Sequence, residues 1–150
     1  MADRYLFVTG KLAAPALRDL ARRRGIADRV TFSGALAFEA VQVHYAQAHA
    51  VIMPGVMEGW PKPIAEAWAH GAVPLAAAGG IVPWILRDKE AGVTFPPTGD
   101  GLANALLSLL ADATTLTRMS ERGPDLARKL SLECFTERLE RVLVEGCGLQ

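Results

Sequence analysis

Two glutamates with seven residues between them, Glu58 and Glu66, are the residues whose type and spacing point most directly to chemistry. A carboxylate only accepts hydrogen bonds, so both side chains are suited to bind hydroxyl groups. Between them, Pro61 and Pro63 favour the first turn of a helix, where the missing N–H of proline costs nothing. The remaining N–H groups and the dipole of such a helix end attract phosphate or carboxylate. The segment therefore predicts a site for a ligand that carries both hydroxyl and anionic groups.

The flanking residues predict how these groups are positioned. Residues 50–54 form a short apolar run typical of a buried strand, the helix that follows ends at Gly71, and residues 72–76 indicate a second strand. A helical connection makes the two strands parallel neighbours, and ligands bind beyond the carboxyl ends of such strands. We expect Glu58, the helix N-terminus and Gly79-Gly80, where the backbone can approach a ligand, to converge there. A nucleotide sugar, with a polyanionic middle and hydroxylated ends, has the required form.

The composition limits the alternatives. The 150 residues include 16 basic and 16 acidic side chains, so the net charge is zero and no nucleic-acid partner is indicated. His44, His49 and His70 have no spacing that would gather a metal, and we expect none. Cys134 and Cys147 are expected to be reduced thiols of a cytoplasmic protein. No apolar run is long enough for a transmembrane segment.

The remainder of the chain alternates between strand and helix patterns. Strands are predicted at residues 5–9, 30–33 and 91–95, and helices at residues 14–24, 38–47, 81–87, 101–110, 114–122 and 124–144. This order predicts one α/β domain over residues 1–150, with a Rossmann-like open parallel sheet, helices on both faces and a helical C-terminal tail.

Several motifs, taken in order, resemble one family. These are V-x-F-x-G at residues 30–34, E-G-W-P-K at 58–62, A-E-A-W-A-H-G at 65–71, and V-P-L-A at 73–76 followed by the double glycine. They are similar to the C-terminal, donor-binding domain of the retaining GT-B glycosyltransferases in the large group 1 family, and the similarity extends from about residue 5 to 144. The resemblance implies a nucleotide-sugar binding half of a hexosyltransferase-like enzyme that transfers a sugar to an acceptor, without a metal or other cofactor.

The resemblance also implies roles for the central residues. Glu58, with the backbone of Gly59 and Trp60, would contact the donor sugar. Lys62 and Ile64 would lie beside the diphosphate.

The nucleoside would lie further along the same site. Glu66 would bind the ribose, and the backbone of Gly79 and Gly80 would approach the ligand closely. Three residues of the loop after the V-x-F-x-G strand would line the base, namely Gly34, Ala35 and Leu36.

Each candidate also has a purely structural interpretation. Glu58 could be an exposed loop carboxylate, Gly79-Gly80 a simple turn, and Trp60 and Trp68 core or pocket-wall aromatics. Glu66 lies among alanines on a helix that should be largely buried, so a carboxylate without a partner would be costly there. This cost favours a functional role for Glu66.

The sequence departs from the family within the site. Pro63 stands where an amide is usual, and Pro83-Trp84 stands where Pro-Glu is common, so Trp84 cannot accept hydroxyl hydrogen bonds. Positive charge for a diphosphate would have to come from Lys62, Lys11 or Arg87.

The sequence also departs from the family at its N-terminus. Family members carry an acceptor-binding domain and an opening strand with a basic segment, whereas this sequence starts at the second strand. The missing strand is normally central in the sheet. We therefore expect that strands from residues 5 and 50 pair directly, or that another chain fills the gap.

Two functions remain open. The chain could bind a nucleotide sugar and work with an acceptor domain of a longer parent, with a separate acceptor-domain polypeptide or through self-association. Alternatively, it could be a non-catalytic GT-B-like module or truncated remnant without useful donor binding. A nucleotide-sugar epimerase of the same architecture is less favoured, because such enzymes also need two domains.

Overall fold

The computed structural model describes residues 5–7, 14–57, 59–87 and 90–146. The chain divides into two units, Met1–Val41 and Gln42–Gln150, and each is described by itself. The single domain expected from the sequence stays a prediction.

The first unit contains two parallel strands and a helix. Strand β1 (Tyr5–Phe7) pairs with β2 (Val30–Phe32), with Tyr5 opposite Val30. Helix α1 (Ala14–Arg23) lies between them in sequence and is followed by Gly25, whose φ of +67° is the left-handed conformation typical of a residue just after a helix. A short 3₁₀ turn (Ala27–Arg29) leads into β2.

The second unit is built on a parallel sheet of three strands. These are β3 (Ala50–Met53), β4 (Val73–Ala77) and β5 (Val93–Phe95), in the order β3-β4-β5. Ala50 lies opposite Val73, which confirms that the two strands flanking the central helix are parallel neighbours. How the centre of a complete sheet is filled stays a prediction.

Seven helices accompany the described strands. After α1 they are α2 (Phe38–Gln47), α3 (Lys62–Ala69), α4 (Val82–Ile85), α5 (Gly99–Ala111), α6 (Ala113–Arg128) and α7 (Leu132–Arg141), and a π turn (Val142–Gly146) follows α7. Helix α2 has the predicted bounds, and α3 follows the two prolines as expected. Strand β4 begins and ends one residue later than predicted.

The core of the second unit lies on both faces of β4, whose five residues are all buried. Successive strand residues point to opposite faces. On one face lie Val73, Leu75, Ala77, Phe95, Leu109 and Met119, and on the other lie Met53, Ile64, Trp68, Ala76, Val82 and Leu86. The α/β architecture with helices on both faces is therefore confirmed, and the second cluster fixes α3 on the sheet.

The prediction that a helix begins at Pro124 is wrong, because α6 continues through this residue to Arg128. Proline inside a helix removes a hydrogen bond and costs about 3 kcal/mol. Packing on α3 opposes that cost, since a Cβ atom at Gly123 would lie only 3.0 Å from the Trp68 carbonyl oxygen. The break comes instead at Ser131, whose Oγ accepts a hydrogen bond from the Cys134 N–H and caps α7.

None of the helices in the described ranges combines the length and the apolar character needed to cross a membrane. Cys134 is a free, half-buried thiol, and Cys147 lies outside the described residues. The reduced state of both cysteines and the cytoplasmic location stay predictions.

Gly123→Ala should lower the free energy of unfolding by about 1–3 kcal/mol, because the new methyl group meets backbone atoms of Trp68 that cannot move alone. Urea denaturation monitored by circular dichroism measures the change. Gly99→Ala is the matched control, since a Cβ atom there meets nothing within 4 Å. Equal stabilities of the two variants would contradict the close packing of α6 on α3.

Candidate functional site

The loops after β3 and β4 meet at the carboxyl edge of the second unit's sheet. A Cβ atom at Gly79 would lie 2.2 Å from the Val56 carbonyl oxygen, so only glycine fits there. Gly80 has φ of +51° and turns the chain toward α4. The predicted convergence of the two loops is present, although Glu58 itself lies outside the described residues. The backbone of Gly79 lies close to Val56. A close approach of Gly79 to a ligand stays a prediction.

The N-terminus of α3 also lies after β3, as the sequence predicts. Pro61 precedes the helix, and its carbonyl oxygen accepts a hydrogen bond from the Ile64 N–H at 3.0 Å. Pro63 has no N–H to offer, and the Ile64 side chain is buried in the core. Lys62 is exposed at the first position of the helix. An anion at this helix end would therefore meet Lys62 and would have to share the Ile64 N–H with Pro61.

Glu66 lies one turn further along α3 and has a hydrogen-bond partner on another helix. The Tyr45 hydroxyl, near the end of α2, donates to Glu66 Oε2 at 3.0 Å. Both side chains are half-buried. Among the described residues no other group bonds the Glu66 carboxylate, so Oε1 has no protein partner there. Tyr45 thus gives Glu66 the partner that its burial requires, and within the described residues Oε1 remains open to a ligand.

His70 completes this arrangement at the end of α3. Its Nδ1 lies 2.9 Å from the Glu66 carbonyl oxygen. Because a carbonyl oxygen only accepts hydrogen bonds, Nδ1 carries a proton and donates it. The His70 ring stacks on the Tyr45 ring, with centroids 5.9 Å apart and planes inclined at 26°. Tyr45 is therefore held at its ring by His70 and at its hydroxyl by Glu66.

Burial raises the pKa of the Tyr45 hydroxyl, and the hydrogen bond to Glu66 and the negative charge of Glu66 raise this pKa further. All three causes disfavour the phenolate. Tyr45 therefore stays a neutral hydrogen-bond donor at every pH at which the protein would work.

Two tryptophans are exposed near this edge, Trp60 in the loop before α3 and Trp84 in α4. Trp60 is 49% exposed and Trp84 is 59% exposed, so Trp60 is not a core residue, and its alternative as a pocket-wall aromatic stays a prediction. The Arg87 guanidinium lies over the Trp84 ring, 5.2 Å from its centroid. Trp68, in contrast, is a buried core residue whose Nε1–H donates to the Ala91 carbonyl oxygen.

The three base-lining candidates lie in the first unit, in the loop between β2 and α2. Gly34 has φ of +66°, which turns the chain after β2, while Ala35 is exposed and Leu36 half-buried. Their contact with a base stays a prediction, and Lys11 lies outside the described residues. In the part of the chain that the structure describes, no three His, Cys, Asp or Glu side chains are grouped to hold a metal.

Sequence patterns did not reveal Tyr45. It lies 21 residues from Glu66, on a different helix, and no spacing rule links the two. Only the folded chain brings the Tyr45 hydroxyl to the Glu66 carboxylate.

Residues 2–112 match the family model described as Glycosyl transferases group 1. Over 129 residues the chain is 28% identical to the lipopolysaccharide core biosynthesis glycosyltransferase LpsE of Rhizobium meliloti (strain 1021), covering 85% of this chain and 37% of that protein. Over 115 residues it is 31% identical to the GDP-mannose-dependent alpha-(1-6)-phosphatidylinositol monomannoside mannosyltransferase of Mycobacterium tuberculosis, covering 71% and 30%. The chain spans about a third of the length of these curated relatives.

A solved structure gives the same picture of the fold. Sucrose-phosphate synthase from Thermosynechococcus elongatus superimposes with a TM-score of 0.79 at 26% identity. The match covers 95% of this chain and 38% of that protein. The fold is the Rossmann-like α/β fold of GT-B glycosyltransferases, and it corresponds to a partial, C-terminal type of domain.

Ultraviolet titration of tyrosinate tests the environment of Tyr45. The chain has two tyrosines, so a Tyr5→Phe background isolates the signal of Tyr45. We expect its pKa to lie above the ordinary value of about 10. Glu66→Gln should lower that pKa by removing the charge, without restoring the ordinary value, because burial remains the largest cause. Glu137→Gln, on exposed α7, should change nothing. A Tyr45 that titrates normally would contradict the observed contact.

The same shift predicts a loss of stability at high pH. The unfolded chain loses the tyrosine proton near pH 10 and the folded chain only at higher pH, so the free energy of unfolding should fall as the pH rises past about 10. Urea denaturation at several alkaline pH values measures this fall. In Tyr45→Phe the fall should be smaller, and an unchanged fall would show that Tyr45 does not cause it.

Proposed function

The chain belongs to the group 1 glycosyl transferases, and we propose that it binds a nucleotide sugar as the donor-binding part of a retaining, hexosyltransferase-like glycosyltransferase. The observation that carries this proposal is the Glu66 carboxylate. One of its oxygens is held by Tyr45 and the other has no partner among the described residues. A half-buried carboxylate that keeps one oxygen without a partner is placed to accept hydrogen bonds from a ligand.

In the proposed complex, Glu66 binds the ribose. A ribose carries two neighbouring hydroxyl groups, and a carboxylate oxygen has lone pairs for both of them. Oxygen Oε1 would accept these bonds, while Oε2 keeps the bond to Tyr45. The family resemblance implies that Gly34, Ala35 and Leu36 line the base, and this part of the proposal rests on the resemblance alone.

The diphosphate would lie at the N-terminus of α3. Lys62 occupies the first helical position, where the positive end of the helix dipole disfavours a cation by about 0.3–1 kcal/mol. A bound phosphate would reverse this effect, because it attracts both the lysine and the dipole. The unfavourable placement of Lys62 in the free protein therefore supports an anionic ligand, with Ile64 close to it.

The donor sugar would lie beyond the diphosphate, near Glu58, Gly59 and Trp60. The exposed Trp60 and Trp84 rings offer apolar faces to the C–H groups of a sugar. Gly79 and Gly80 would approach the ligand from the neighbouring loop. The curated mannosyltransferase that is 31% identical to this chain is GDP-mannose-dependent by name, which supports a nucleoside-diphosphate sugar as the ligand.

Transfer would proceed by breaking the bond between the sugar and the diphosphate. Lys62 and the end of α3 would stabilise the negative charge that develops on the leaving group. We expect this without a metal or a further cofactor, as the family resemblance implies. The acceptor would bind to a further domain, supplied by a longer parent of this chain, by another polypeptide or by a second copy.

A specific observation favours a second candidate, a non-catalytic GT-B-like module. The N–H of Ile64 is bonded to Pro61, and Pro63 has none, so α3 offers fewer amides to a phosphate than the family pattern implies. If phosphate binding is weak for this reason, the affinity for a nucleotide sugar is too low for transfer, and the chain is a non-catalytic module.

Titration calorimetry with UDP, GDP and ADP distinguishes the two candidates. We expect saturable binding of at least one nucleotide, and Glu66→Ala should weaken that binding by roughly 10- to 100-fold, the value of hydrogen bonds to a charged group. Glu137→Ala, on the exposed face of α7, should bind as the wild type does. If none of the three nucleotides binds at millimolar concentration, the donor-binding proposal fails and the second candidate takes its place.

A further inference from the structure

We infer that Tyr45 is a positioning residue for ribose recognition, which holds Glu66 so that the site discriminates nucleotides that carry ribose hydroxyls from those that lack them. This inference rests on the proposed function, since it assigns Glu66 to the ribose. It concerns a residue of α2 that no motif in the sequence singles out.

The hydroxyl of Tyr45 limits the orientations of the Glu66 carboxylate. Tyr45 and Glu66 lie on different helices, and a single hydrogen bond of 3.0 Å joins them. A glutamate side chain has several rotatable bonds, so a carboxylate at a helix surface occupies many orientations when nothing holds it. The hydroxyl of Tyr45 selects orientations in which Oε2 points at α2. The ligand then meets a carboxylate that is already ordered, which raises affinity.

Tyr45 is itself held in place. Its ring stacks on the His70 ring at 5.9 Å. His70 is anchored in turn, because its Nδ1–H donates to the Glu66 carbonyl oxygen at 2.9 Å. The contacts thus run from the Glu66 side chain to Tyr45, from Tyr45 to His70, and from His70 back to the Glu66 backbone. Such mutual support is what keeps a binding group within a fraction of an ångström of its working position.

The hydrogen bond between Tyr45 and the Glu66 carboxylate has only one possible direction. A tyrosine hydroxyl has one proton, and in this structure that proton is given to Glu66 Oε2. Burial and the charge of Glu66 keep the hydroxyl protonated by raising its pKa. Tyr45 therefore has no second proton to donate to a ligand, and we assign its effect to the ordering of Glu66. The role is one of positioning, and its effect should appear only with ligands that contact Glu66.

The test compares UDP, GDP and ADP with their 2′,3′-dideoxy counterparts, which lack both ribose hydroxyls. In the wild type we expect the ribonucleotide to bind at least about tenfold more tightly than its dideoxy counterpart. Tyr45→Phe keeps the ring and its stacking on His70 and removes only the hydroxyl. It should weaken ribonucleotide binding by up to about tenfold and leave dideoxy binding unchanged, so that the ratio of the two affinities falls.

Two further variants separate positioning from general stability. In the Glu66→Ala background, Tyr45→Phe should cause no additional loss of affinity, because the residue that Tyr45 positions is absent. Thr136→Val is a matched control, since it removes a hydroxyl that donates to the Leu132 carbonyl oxygen at 2.8 Å on α7. This control should leave both affinities unchanged. A merely structural role of Tyr45 would lower both affinities in the same proportion.

The outcomes also separate the inference from the proposed function. If the wild type binds a nucleotide, Glu66→Ala weakens that binding, and Tyr45→Phe retains the full ribose discrimination, the inference is wrong and the proposed function stands. If the wild type binds none of the six nucleotides, the proposed function and the inference fail together. A fall in the ratio in Tyr45→Phe alone, with unchanged urea denaturation, supports the inference.

Discussion

The packing of α3 on the sheet is the interaction on which the rest of the site depends. Ile64, Ala67 and Trp68 form one helical stripe, and two of them lie in the core cluster beside β4. Because this stripe is buried, the helix cannot rotate about its axis, and its N-terminus stays at the carboxyl edge of the sheet. Glu66, which lies off the buried stripe, is thereby directed to the side of the helix where Tyr45 meets it. The core thus sets the position of the carboxylate, and the contact from α2 sets its orientation.

Several features of this edge are unfavourable for a protein without a ligand. Lys62 lies at the positive end of a helix dipole, two tryptophans are largely exposed, and one oxygen of Glu66 has no partner among the described residues. Each would be relieved by a ligand with phosphate, apolar sugar faces and hydroxyl groups. Locally unfavourable features of this kind are concentrated at functional sites, where a bound ligand supplies the missing interactions. All three features favour the same kind of ligand, one that carries phosphate, a sugar and hydroxyl groups.

Much of this arrangement could be predicted from the sequence. Short apolar runs, two prolines and Gly71 indicated β3, α3 and β4, because these signals are local. The long course of α6 was not predictable, since the packing of Gly123 against Trp68 overrides the local effect of Pro124. The requirement for glycine at residue 79 was expected, but its cause was different, because its neighbour is the Val56 carbonyl group. The bond between Tyr45 and Glu66 joins residues 21 positions apart on different helices, and no local pattern contains that information.

The central claim is that a nucleotide lies at this edge with its ribose on Glu66. A crystal structure of the chain grown with UDP, GDP or ADP tests the claim most directly. A ribose hydroxyl should lie within about 2.5–3.0 Å of Glu66 Oε1. The diphosphate should lie at the N-terminus of α3, and Tyr45 should still be bonded to Oε2. A nucleotide bound elsewhere, or a ribose that leaves Glu66 without a contact, would contradict it.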